Sequence, residues 1–334
     1  MSIDCLAAHA AKEPLRPYRY EPTELGPGDV ELKITHCGIC HSDLHLINDD
    51  WGLSKYPLVP GHEIIGHVSA LGPSVKSLKI GQRVGVGWEA SSCLECEYCL
   101  RGEENFCVHN QGTCVGRPGG YADRIRVHSH FAFPIPEVIE SEAAGPLLCG
   151  GITVFTPLRA FEVSPLMRVG VIGIGGLGHL ALQFARAFGC EVTAFSSTPG
   201  KEAEAKKFGA HHFAASTDTA AMASLGSSFD FLLSTVNVDL DWSAYLGLLR
   251  PKGKLCLVGA SQAPLNISAF ALLVGQKTVC GSNIGGSVMI REMLEFAARH
   301  GIRPQVELRP MAEANAALAR LAANQARYRM VLVN

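Results

Sequence analysis

The chain has 334 residues, a formal net charge of −2, 18% charged residues and 47% hydrophobic ones, and it is long enough for two domains that each bury a core. With neither a basic excess nor a polybasic block, this balance excludes a nucleic-acid or membrane surface. The start, Met1-Ser-Ile-Asp-Cys5, holds no cationic leader, and glycines, prolines and charges break every apolar run short of a membrane span, so the expected compartment is the cytoplasm. Twelve cysteines in a long chain of this kind point to metal binding or buried thiols rather than to disulfides.

Residues 1 to about 145 read as mostly β. Val30–Thr35, Ile64–Ala70, Arg83–Val86 and Tyr121–Val127 are predicted strands punctuated by Gly and Pro, which suggests a small barrel-like domain. Glu140–Phe161 is rich in Ala, Leu and Gly and is predicted as one helix crossing into a second domain. From Arg168 the pattern alternates: strand 169–173, helix to 188, strand Glu191–Phe195, helix near 200–208, strand Phe229–Leu233, helix near 240–249 and strand Lys254–Val258. That alternation predicts a doubly wound parallel sheet, an α/β fold. Two helices, Val288–Arg299 and Met311–Leu321, and a last strand, Arg329–Val333, follow and are expected to return to the first domain. The expected division is therefore 1–145, 146–285 and 286–334.

Within the alternating half, Val169-Gly-Val-Ile runs into Gly173-Ile-Gly175-Gly176-Leu177-Gly178 and then into a helical pattern. A strand, a glycine turn and a helix in this order form a dinucleotide site: Gly173 makes the turn, Gly175 lets a pyrophosphate approach the main chain, and Gly178 allows helix to pack on strand. The helix N-terminus offers free N–H groups to the phosphates.

Cys93, Cys96, Cys99 and Cys107 form the most specific motif. Four thiolates on short loops satisfy a closed tetrahedral zinc site, a structural centre that contributes folding energy. The spacing lacks the three-residue gap and trailing proline of a bacterial iron–sulfur run, and the surrounding glutamates disfavour a nucleic-acid ribbon. Three further fragments, Cys40-His41-Ser42-Asp43, Gly61-His62-Glu63 and Leu148-Cys149-Gly-Gly, offer the mixed N and S ligands of a catalytic zinc with an open position. Spacing alone does not assemble them.

These fragments, in this order with the four-cysteine lobe, Cys149-Gly-Gly-Ile-Thr153 and the glycine turn, resemble the zinc-dependent medium-chain alcohol dehydrogenases, close to the cinnamyl alcohol dehydrogenase branch. The resemblance spans essentially the whole chain. It implies a GroES-like, mostly-β catalytic domain split around a Rossmann domain, two zinc ions per chain, and an alcohol or aldehyde substrate. Cys40, His62 and Cys149 match the catalytic zinc ligands, and Glu63 a carboxylate beside the metal that can act as an alternate ligand. Ser42 matches the hydroxyl that takes the substrate proton and His45 the histidine that relays it through the cofactor ribose. His41, Thr153, Gly176, Leu177 and Arg329 fall on the cofactor side, Arg329 near the phosphates. The family also implies a homodimer, with a tetramer as the alternative.

The slot about 20 residues past the glycines, where an NAD enzyme places an acid on the ribose, holds Ser196, followed by Ser197, Thr198 and Lys201. Three hydroxyls and a lysine favour a 2′-phosphate and therefore NADP(H). Trp51 and Trp88 stand at positions that in the family face the substrate channel, and they suit extended apolar or aromatic primary alcohols. Two other readings compete: an NAD-dependent polyol or secondary-alcohol dehydrogenase, and a zinc-stabilised nucleotide-binding protein without catalysis. Cys5, Cys37, Cys114, Cys190, Cys256 and Cys280 read as packing thiols.

Overall fold

Val30, Leu32 and Ile34 alternate with Glu31, Lys33 and Thr35, and the apolar set is buried in a strand spanning Asp29–Ile39 in the computed structural model, which describes residues 2–259 and 264–334. That strand is the spine of a seven-stranded sheet. Ile64–Leu71 and Arg124–His128 pair with it antiparallel, and Arg83–Val86 and Phe133–Pro134 extend the sheet on the Ile64–Leu71 side. Arg329–Val333 closes its other side antiparallel and carries Val306–Pro310 as a parallel neighbour. The C-terminal residues thus complete the first sheet, and the chain divides into two units, Met1–Ile152 with Gly285–Asn334, and Thr153–Ile284.

The predicted strand at 121–127 begins only at Arg124. The backbone just before it is engaged with the N-terminal strand instead: Leu6 N–H donates to the Tyr121 carbonyl and Asp123 N–H to that of Asp4. The long predicted helix is also interrupted. Ser141–Pro146 and Ile152–Ala160 are α-helical, while Leu147–Gly151 widens into a π turn that carries Cys149; single π turns of this kind recur at functional sites.

The second unit holds six parallel strands in the spatial order His212–Ala215, Glu191–Ser196, Arg168–Ile172, Phe229–Ser234, Leu249–Leu257, Thr278–Gly281. Chain order reverses between Arg168–Ile172 and Phe229–Ser234, and that reversal is the switch point where open α/β sheets bind ligands. Its core joins Phe195, Phe229, Leu232, Trp242, Tyr245 and Leu255. No helix among the described residues is long and apolar enough to cross a membrane.

Candidate active site

The four cysteines of the lobe converge without forming disulfides. Cys93 Sγ lies 3.8 Å from Cys99 Sγ and 3.5 Å from Cys107 Sγ. Four thiolates at Zn–S distances of ~2.3 Å span tetrahedron edges of about 3.8 Å, so the donors present fit zinc. Backbone N–H groups of Glu95 and Cys96 draw the Cys93 thiol down to about 6, which favours the ligating thiolate.

The second group comes from three places in the first unit. Cys40 precedes helix His41–Asn48, His62 and Glu63 precede strand Ile64–Leu71, and Cys149 sits on the π turn. One ligand atom from each of Cys40, His62, Glu63 and Cys149 lies within 4.8 Å of the others. Cys40 Sγ is 3.8 Å from Cys149 Sγ, and His62 Nε2 is 3.3 Å from Cys149 Sγ. These edges also suit a tetrahedral zinc, with the imidazole presenting Nε2. The thiol of Cys40 is held well below its ordinary range, chiefly by the hydrogen bond from Cys149 and despite burial.

Residues not singled out from the sequence surround this set. Asp43 is fully buried, and its carboxylate accepts from Cys40 N–H at 2.8 Å and from Gly61 N–H at 2.9 Å, while its Oδ1 stands 3.3 Å from His62 Nδ1. Burial pushes His62 down, but Asp43 and Cys149 outweigh it, and the imidazole is raised well above its ordinary value. Asp43 thus raises the basicity of the ring from the side away from the thiols. A sequence signal for it existed: three residues after the helix-capping Cys40 is the position from which a side chain reaches back to the cap N–H. Cys114 lies against the same face, forming a buried cluster with Asp43 and His62.

The family resemblance implies a place for Arg329 near the cofactor phosphates. In the structure its guanidinium is buried and donates to Glu63 Oε1, so the carboxylate beside the thiols carries a buried cationic partner. Burial raises the Glu63 carboxyl, with Arg329 opposing.

Ser42 Oγ is 3.6 Å from Cys40 Sγ, and His45, one helical turn on, bonds through Nδ1 to Asp50 Oδ2 at 2.8 Å. Trp51 stacks on His45 at 4.9 Å between ring centroids and meets Trp88 at 6.4 Å, and Trp88 stands edge-on to His62 at 5.0 Å. Both tryptophans therefore belong to the surroundings of the thiol and imidazole donors. His41 opens the same helix, and burial lowers its imidazole.

In the second unit, Gly173 has φ +88°, and a Cβ on Gly178 would lie 1.9 Å from the Gly173 carbonyl oxygen, whereas a Cβ on Gly175 would meet nothing within 4 Å. The turn is tight against itself and open at Gly175, where a pyrophosphate would approach. Gly176 and Leu177 lead into helix Gly178–Ala187. At the end of the neighbouring strand, Ser196 is buried with its hydroxyl accepting from Thr198 N–H at 3.1 Å, and Ser197 and Thr198 are exposed. Lys201 reaches back to donate to the Ile174 carbonyl at 2.8 Å, which sets its ammonium at the glycine turn. Thr153 opens this unit and is buried.

Residues 26–137 match the alcohol dehydrogenase GroES-like domain and residues 176–299 the zinc-binding dehydrogenase domain. The chain is 46% identical over 330 residues to the aldehyde reductase AdhA of Synechocystis sp., covering 99% of this chain and 98% of that protein. Among solved structures it resembles a cinnamyl alcohol dehydrogenase (SbCAD4) of Sorghum bicolor, with a TM-score of 0.96, 38% identity and coverage of 100% and 98%. It likewise resembles CAD from Helicobacter pylori complexed with NADP(H), with a TM-score of 0.92, 33% identity and coverage of 100% and 98%.

Proposed function

Because the chain belongs to the zinc-containing medium-chain alcohol dehydrogenases, we propose that it moves a hydride between NADP(H) and a primary alcohol or aldehyde, with aromatic and extended apolar substrates accepted. The observation that carries this reading is the convergence of Cys40 with the buried His62 and Cys149 beside the Ser42 hydroxyl. Cys40, His62 and Cys149, with Glu63 as an alternate ligand, would hold a zinc ion that would supply Lewis acidity toward the substrate oxygen, and the glycine turn would hold NADP(H), which would supply the hydride chemistry.

The protein's own groups handle the proton and the substrate. Ser42 accepts the proton of the alcohol, and His45, its Nδ1 anchored on Asp50, hands it on through the other ring nitrogen. Trp51 and Trp88 wall the substrate with aromatic surface that favours a flat or extended chain over a branched carbinol. Arg329, donating to Glu63 Oε1, positions that carboxyl beside the thiols. His41 and Thr153 contact the cofactor. On the cofactor side, Ser196, Ser197, Thr198 and Lys201 receive a 2′-phosphate, where an acid would repel it. NADP(H) in the Helicobacter pylori relative supports that choice. A homodimer completes the reading, supported by the exposed apolar Phe270, Leu273 and Val274 of helix Ala269–Leu273 and the residue after it.

Initial rates of cinnamaldehyde reduction with NADPH and with NADH, on protein of measured zinc content, test this. The expected result is about two zinc ions per chain and a kcat/KM at least ~10-fold higher with NADPH, about 1.4 kcal/mol of discrimination. Preference for NADH overturns the cofactor assignment. Absence of turnover at full zinc loading overturns the substrate class.

A further inference from the structure

One of the two tryptophans beside the thiol and imidazole donors is held in place from behind by residues that carry no chemistry of their own. Trp88 follows strand Arg83–Val86 through Gly87, which packs so closely on the π turn that a Cβ there would lie 2.8 Å from the Leu148 carbonyl oxygen. Its main chain is clamped by Thr113, fully buried just after strand Gln111–Gly112: the Thr113 N–H donates to the Trp88 carbonyl at 2.6 Å, and its hydroxyl to the Gly87 carbonyl at 2.8 Å. The indole itself is placed by rings and by a gap. It meets His62 and Trp51 edge-on, at 5.0 and 6.4 Å between centroids, spacings at which aromatic pairs attract. Against its Nε1 edge stands the buried Gly112, where a Cβ would lie 3.2 Å from Nε1 and 3.3 Å from Cε2. Non-bonded carbons pack best at ~3.5–4.0 Å, so the ring occupies the space that a side chain at 112 would need. The φ of Gly112 is outside the left-handed region. Glycine is called for there by the indole, not by the backbone.

We infer that Gly112 is a positioning residue that sets substrate preference, by leaving room for the Trp88 indole to stand beside His62. This rests on the reading that Trp51 and Trp88 wall the substrate. Thr113 holds the Trp88 backbone at two carbonyls, so a methyl group at 112 displaces the ring and not the chain. The same methyl crowds Val115 Cγ2, at 3.2 Å, and the two side chains share a shift of about a few tenths of an ångström. That is small, but it falls on the surface along which a flat, extended aldehyde lies. A three-carbon aldehyde leaves most of that surface unused, so moving the wall costs it less.

The test compares kcat/KM for cinnamaldehyde and for propanal, at saturating NADPH, in the zinc-loaded full-length parent, Gly112→Ala, Trp88→Ala and the double variant. In Gly112→Ala the cinnamaldehyde-to-propanal ratio is expected to fall about 5-fold. Incomplete folding or a partly empty lobe lowers both rates alike and cancels in the ratio, so the measurement holds even for a poorly folding variant. In the Trp88→Ala background the same substitution is expected to leave the ratio within about 2-fold, because the group it acts through is gone. An unchanged ratio in Gly112→Ala overturns the inference, and so does a fall of equal size in the absence of the indole. Turnover of neither aldehyde by the parent overturns the substrate reading, and the inference with it.

Discussion

The two cysteine-rich groups are built in opposite ways. The lobe draws its four thiols from residues 93–107 and leaves Cys93 and Cys96 half-exposed. The other group brings Cys40 to Cys149 across 109 residues and His62 to Cys149 across 87, and its His62 and Glu63 are fully buried. A local group closes short loops that have almost no core of their own, so bound metal and folding are one equilibrium there. A non-local group is held by the sheet and helices that carry it, and so can keep a coordination position free for chemistry.

Paired substitutions push this contrast hardest. Cys149→Ser is expected to cost one zinc per chain and about 10³-fold or more in kcat/KM, while thermal unfolding moves by only a few degrees, on the order of 1 kcal/mol. Cys107→Ser is expected to cost the other zinc and to lower Tm by on the order of 10 °C. Metal analysis, calorimetry and rates on both variants decide it; if Cys149→Ser unfolds as readily as Cys107→Ser, the division of labour between the groups is wrong.

The same contrast explains what could be read in advance. The lobe is visible because all four ligands fall inside one short span. The doubly wound sheet is visible because strand and helix periods alternate from Arg168 onward, and the structure keeps the four predicted strands in chain order while adding His212–Ala215 and Thr278–Gly281 at the two edges. The set of Cys40, His62 and Cys149 was assembled only by resemblance, since no local period encodes a contact across 87 residues. The capping bond of Asp43 to Cys40 N–H is local and carries a signal, but its approach to Gly61 and His62, like the pairing of Arg329 with Glu63, depends on a tertiary approach between segments. The break at Leu147–Gly151 escaped because Ala, Leu and Gly in sequence report helix, not the width of a single turn.

A smaller effect probes how the fold holds the buried group. Asp43→Asn preserves shape but removes the charge that faces His62 Nδ1. It is expected to weaken zinc affinity or activity by about 10–100-fold, well short of losing a ligand, with the lobe zinc retained. Competition with a zinc-selective chelator measures it. Unchanged affinity and rate would mean that the backbone N–H bonds to Asp43, rather than its charge, are all the site needs.

The smallest predicted effect concerns the base of the lobe, which leaves and rejoins the fold through the paired strands Glu89–Ser91 and Gln111–Gly112. Glu89 is buried there, accepting from Asn110 Nδ2 at 2.5 Å through Oε1, with no hydrogen-bond partner on Oε2 among the described residues. Burial, and then the nearby Glu104, push its carboxyl from 4.5 up to about 8. Glu104 goes the other way: burial would raise it, but His130 and the backbone and hydroxyl of Ser287 bring it to about 2. Between pH 4.5 and about 8 the folded protein keeps a proton on Glu89 that the unfolded chain has released, so unfolding releases a proton and stability falls as pH rises through that window. Glu104 contributes stability above its ordinary 4.5 that is lost only as pH falls toward 2, outside the same window. Glu89→Gln keeps the neutral shape without the titration. Its stability relative to the parent is therefore expected to rise steadily from pH 5 to pH 8, by on the order of 2 kcal/mol after allowing for dielectric relaxation. Urea unfolding midpoints of both proteins across that range measure the slope, and a difference that stays flat with pH would place an ionised Glu89 in the folded lobe.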